Sequence, residues 1–109
     1  MEITPKQHIT GSLITNATTT LFTATKVTII TQWWLANSHS GDVVIEGLWV
    51  VPALGSADES NNRLPNVTVG NTLPLPFDTR EVLQVNDTIQ AKASVTNVVA
   101  LSAAGWEEV

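Results

Sequence analysis

Residues 26–36, KVTIITQWWLA, decide how the chain folds. The run is apolar and β-branched. Read with the two-residue period of a strand, it puts Val27, Ile29, Thr31, Trp33 and Leu35 on one face and Thr28, Ile30, Gln32, Trp34 and Ala36 on the other. The first face is the expected core face. Successive side chains of a strand point opposite ways, so Trp33 and Trp34 cannot both enter one core, and one of them has to be accommodated elsewhere.

Downstream, residues 37–42, NSHSGD, are turn formers with one His, followed by a second apolar run at residues 43–51, VVIEGLWVV. This arrangement predicts a hairpin. The second run has Val44, Glu46, Leu48 and Val50 on one face and Val43, Ile45, Gly47, Trp49 and Val51 on the other; Pro52 then ends the ladder because it has no N–H to donate. If the two runs pair, Ile30, Trp34, Ile45, Trp49 and Val51 form one patch on the side that water normally covers. Each large aromatic contributes about 150–250 Å², so Trp34 and Trp49 alone come near the roughly 300–600 Å² that a monomer exposes, and with the aliphatic neighbours the patch exceeds it. Three covers are open: another segment of the same chain, further copies in a homo-oligomer, or a ligand such as a sugar ring stacked on Trp.

The rest of the chain has the same β character. Residues 1–7 are expected to form an extended arm, since Pro5 opposes regular structure, with a sandwich domain over 8–109. Short strands are expected at 8–15, 18–24, 64–69, 72–77, 82–85, 88–94 and 98–104. Gly70-Asn71, Asp78-Thr79 and Asn86-Asp87 punctuate them, and a long polar loop occupies 53–63. About eight short antiparallel strands with turn signals every 8 to 12 residues predict an all-β chain folded as a single β-sandwich, jelly-roll or immunoglobulin-like.

Composition narrows the function. With no cysteine, neither a disulfide nor a thiolate metal site can form. The formal charge is −5, yet only 14% of residues are charged. Clustered Lys and Arg, which phosphate backbones require, are absent, so no nucleic-acid partner is expected. No apolar run reaches signal-peptide or membrane-spanning length, so a soluble chain made in the cytoplasm is expected.

Three stretches, TTLFTATKVTIITQWWLAN (19–37), VVIEGLWVVPALGSADESNNRLPNVTV (43–69) and LQVNDTIQAKAS (83–94), resemble a group of small β-sandwich virion proteins of tailed bacteriophages. That group has Thr-hydrophobe-Tyr/Phe-Thr, an Ile-rich strand ending in Asn, a Val/Leu strand ending in Val-Pro, a polar loop with Asn-Arg-Leu, and a late Gly/Asn-Asp-x-Ile strand. Trp33 and Trp34 stand where the group more often has an aliphatic and a polar residue. The resemblance implies a non-enzymatic structural component of the virion, either a capsid decoration (cement) protein or a tail- or fibre-associated module, and it transfers no catalytic residue.

Catalytic chemistry is not legible. His8 and His39 lie in no nucleophile–base motif. Asp58-Glu59 and Asp87 lack calcium-loop spacing, Glu46 is the sole acid inside an apolar run, and three Asn-x-Thr triplets are assigned no role. No catalytic, cofactor-binding or metal residue is expected. The expectation is a phage capsid decoration protein, located in the virion and made in the bacterial cytoplasm. Its partners would be itself, as a homo-oligomer and foremost a trimer, and the major capsid protein or other virion proteins. Trp34, Ile45, Trp49 and Val51 are the expected self-contacts, with Trp106 and Pro5 in the arm meeting other chains. The alternative is a carbohydrate-binding host-recognition module built on an exposed Trp with Asn and Asp from loops 37–42 and 53–63.

Overall fold

In the computed structural model, which describes residues 2–109, the strands are β1 (Ile3–Leu13), β2 (Thr19–Thr23), β3 (Thr28–Asn37), β4 (Val43–Val51), β5 (Val67–Val69), β6 (Leu75–Phe77), β7 (Glu81–Leu83), β8 (Thr88–Ala93) and β9 (Val99–Glu108). One sheet has the order β1-β9-β3-β6, with β7 also pairing with β3; the other has the order β2-β8-β4-β5. All pairings are antiparallel, and the two sheets pack as a β-sandwich. The molecule is a slab of 44 × 27 × 18 Å, its short dimension that of two sheets with their side chains.

The connectivity has a simple reading. The pairs β4·β5, β3·β6, β2·β8 and β1·β9 are nested, like the two arms of one long ribbon. Rolling that ribbon up brings β9 against β3 and β8 against β4, which is the jelly-roll arrangement and not the immunoglobulin one.

Two expectations change. β3 and β4 are not a hairpin, because residues 37–42 carry the chain from one sheet to the other. The Asn37 amide holds that corner: Nδ2 donates to the carbonyls of Gly41 and Val69, and Oδ1 accepts from the His39 N–H. The expected arm is, from Ile3 onward, the outer half of β1, paired with β9 as far as Ile3 opposite Glu108; Met1 lies outside the described residues. Pro5 is tolerated there because β1 is an edge strand. β9 in turn runs past Gly105 to Glu108, four residues beyond its expected end at residue 104.

A bulge answers the question of the two tryptophans. Ile30 pairs with Gly105 and Gln32 with Ala104, leaving Thr31 as an extra residue in β3. Before it, Thr28 and Ile30 point inward; after it, Trp33 and Leu35 do. Ile30 therefore belongs to the core and Ile29 does not, the reverse of the uninterrupted period. Trp33 is 1% exposed, stacks on Phe77 at 5.3 Å between ring centroids, and donates its Nε1–H to the Thr79 carbonyl at 2.7 Å. A second bulge at Glu46 does the same in β4, with Val43 and Ile45 inward before it and Leu48 inward after it. The core between the sheets is closed by Ile9, Ile14, Leu83, Ile89, Val99 and Leu101.

The motifs behind the family resemblance have structural roles. Asn62 Oδ1 accepts from the backbone N–H of Leu48 and of Leu64, Arg63 forms an ion pair with Glu81, and Leu64 packs against the core. The polar loop is thereby stitched to the free edge of β4. In the late motif, Asn86 takes a left-handed conformation (φ 75°), and the Asp87 carboxylate accepts from the N–H groups of Ala53 and Gln84.

Candidate interaction face

The candidate site is built by cross-strand register. Residues directly opposite one another share a face, so each row across the larger sheet can be read from its pairings. On the outer side, Pro5 of β1, Trp106 of β9, Ile29 of β3 and Val82 of β7 form one row. The next is Gln7, Ala104 and Gln32. Then come Ser102, Trp34 and Pro76, and finally Leu13, Ala100 and Ala36. No charged residue occurs in these four rows; Glu108, opposite Ile3, marks the border.

This face is open to solvent. Trp106 is 40% exposed, Leu13 49% and Val82 55%, while Trp34 and Ile29 are half-buried among their neighbours. Two of its polar groups, Ser102 and Gln7, are engaged within the sheet, and the Gln32 amide is exposed. The Ser102 hydroxyl accepts from the Gly11 N–H at 3.0 Å, where β1 bulges with Gly11 at φ 63°, and the Gln7 amide donates to the Ile9 carbonyl. Covering Ser102 and Gln7 therefore strips little water-bonded polarity, whereas covering Gln32 requires a partner for its amide.

The outer face of the smaller sheet has the opposite character. Its rows carry Thr20, Gln90 and Trp49, then Thr23, Thr88 and Val51, with Lys92 opposite Gly47 and its ammonium 3.9 Å from Glu46. Trp49 does not stand up from this sheet: its ring lies over Gly47, where a Cβ would come within 2.3 Å of it.

The expected site residues are redistributed accordingly. Trp34 and Trp49 lie on opposite outer faces, because β3 and β4 belong to different sheets. Ile45, an expected contact residue, is fully buried in the core, put there by the bulge at Glu46; Val51 is 1% exposed and equally out of reach. Trp34, Trp106 and Pro5 are brought together on the larger sheet. Ile29, Val82, Leu13 and the alanines between them escaped sequence reasoning, since which strands neighbour β3 is set by long-range pairing.

The other polar candidates have local duties. The His8 ring lies edge-on to Phe22 at 5.7 Å, and its Nε2–H donates to the Trp106 carbonyl at 3.1 Å. Burial lowers its pKa below the usual 6.5, against the opposing pull of that carbonyl and of Glu107. His39 Nδ1 accepts from the Gly41 N–H in the corner loop. Asp58 caps a 3₁₀ turn at Glu59–Asn61 through Ser60, whose hydrogen bonds hold its carboxyl below the ordinary range. Among the described residues, no three His, Asp or Glu side chains converge in a way that could hold a metal ion.

At the margin of the face, Gln32, Trp33, Trp34, Pro76, Phe77 and Asp78 enclose an open groove of about 340 Å³. Comparison of the chain with protein-family models, curated proteins and solved structures gives no match.

Proposed function

We propose that the chain is a non-enzymatic structural protein of a tailed-phage virion, a capsid decoration protein made in the host cytoplasm that works by burying the outer face of its larger sheet against protein subunits. The observation that carries this reading is the four-row surface without a charge, on a molecule whose opposite surface is conventionally polar. Sheets with one solvated side alternate apolar-in with polar-out, and a departure on one side alone favours a partner there. Burial of such a surface contributes about 25 cal/mol per Å² before the costs of association, and in a decoration protein that energy reinforces the shell. The jelly-roll supports the reading only in general terms, because the same architecture serves viral capsids and lectins alike.

The test is binding of the purified chain to emptied phage capsids, with copy number measured on intact particles. The expected result is saturable binding in numbers comparable with the capsid subunits, lost when Ala36→Asp puts a charge on the face. Absence from particles, or binding indifferent to that charge, refutes the proposal.

A second reading draws on the groove. An aromatic floor at Trp34 between the amide of Gln32 and the carboxylate of Asp78 suits a pyranose, whose apolar face stacks while its hydroxyls bond to the rim. These residues, and not the expected ones in loops 37–42 and 53–63, would make a carbohydrate-binding tail module. That reading requires few copies per particle and binding to host cells or glycans.

A further inference from the structure

We propose that the apolar face of the larger sheet is covered by a second copy of this chain, related by a two-fold axis lying in the plane of contact along the row Gln7, Ala104 and Gln32. The inference rests on reading that face as a protein contact and makes the subunit on it a second copy, so that in the decoration reading it is the pair that binds the shell.

Rotation about that row leaves each of its residues facing its own copy and carries the row on one side over the row on the other. The register makes those two rows complementary in size. On β9, Trp106 comes over Ser102 of the second copy; on β1, Pro5 comes over the bulge of Thr10 and Gly11; on β3, Ile29 comes over Trp34. A large group meets a small one on β9, and an aliphatic group meets an aromatic one on β3.

The chemistry of the axis also favours a copy of itself. A charged residue there would meet its own charge, but Gln32 carries both donor and acceptor and can bond to an identical amide. Ala104, between the two glutamines, lets the sheets approach.

The size lies at the lower bound for a stable pair. Four strands about 4.8 Å apart and seven to nine residues of about 3.4 Å rise give roughly 500 Å² in projection, more once side-chain relief is counted. A stable pair needs at least about 600 Å² from each partner.

Sedimentation of the full chain at micromolar concentration is expected to show a dimer. Ala104→Glu and Ala104→Lys should each weaken it at least about 100-fold, because like charges then face each other on the axis. Mixing the two variants should restore a dimer, a result that loss of folding cannot mimic. Since the chain has no cysteine, Gln32→Cys with a short bis-maleimide should link two copies, and Gln90→Cys on the other sheet should not. A monomer, a trimer, or a dimer indifferent to charge at Ala104 overturns the proposal. A monomer whose capsid binding is lost with Ala104→Glu overturns the pairing and leaves the decoration function standing. A dimer that never joins a particle does the reverse.

Discussion

Gly105 shows how much a single atom decides in this molecule. A Cβ there would lie 2.0 Å from the Ile29 carbonyl oxygen and 3.0 Å from the Ile30 Cα, so the bulged passage of β3 past β9 requires its absence. The clashing atoms are backbone and cannot step aside. Gly105→Ala is therefore expected to cost about 3 kcal/mol or more, read as a lower urea midpoint with early hydrogen exchange in β1 and β9. Gly47→Ala meets the Trp49 ring at a similar distance, but a side chain can swing away. Its expected cost is about 1 kcal/mol, with Trp49 emission shifted to the red as the ring leaves the surface. Equal losses from the two substitutions would contradict this distinction between backbone and side-chain neighbours.

Among the elements, β3 is governed by the extra residue at Thr31. Deleting Thr31 would straighten the ladder while turning one half of the strand over, putting either Gln32 and Trp34 or Ile29 and Val27 inward. The expected outcome is a chain with no cooperative thermal transition, whereas Thr31→Val, which keeps the count, should fold; a well-folded deletion variant would refute the role of the bulge. The uninterrupted period of residues 26–36 identified the strand and placed Trp33 and Leu35 in the core. It misplaced Ile29 and Ile30, because a bulge is set by the partner strand and leaves no mark on local periodicity. β1 depends on His8, whose neutral ring joins it to Phe22 of β2. Burial holds the folded pKa below 6.5, so the unfolded chain binds the proton more readily. Stability from this group is full above about pH 6.5 and declines as pH falls from there toward the folded value. Stability measured between pH 7 and 5 should show that slope, and His8→Gln should remove it. Asp58 acts in the same sense, with its decline confined to pH below about 4.

For the whole molecule the decisive property is the inequality of its two outer faces. Thr20→Lys, on the smaller sheet, is expected to leave stability, self-association and particle binding within error of the wild type. Pro5→Lys, on the larger sheet, is also exposed and should keep stability within about 0.5 kcal/mol, yet weaken association, because the Ser102 row of the second copy that faces it has no acid. Size-exclusion profiles and capsid pull-down of the two variants make the comparison. If both lysines are tolerated, the apolar face has no partner. Three residues of this face are legible in the sequence, Trp34 as a surplus apolar group and Trp106 and Pro5 as expected contacts with other chains. Ile45, Trp49 and Val51 join Trp34 only if β3 and β4 pair, which depends on the route of a six-residue corner that either a hairpin or a crossing between sheets can use.

By itself the sequence determined that the chain is all-β, where most strands lie, and that it has more apolar side chains than one core can hold. Those properties follow from β-branching, turn residues and a period of two, all of which act over a few positions. The tertiary structure decided which strands are neighbours, where the bulges reverse the faces, and hence that the surplus gathers on one sheet. Rolling the ribbon up pairs residues as far apart as Ile3 and Glu108. The identity of such partners depends on the packing of the whole sandwich, and no local pattern encodes it.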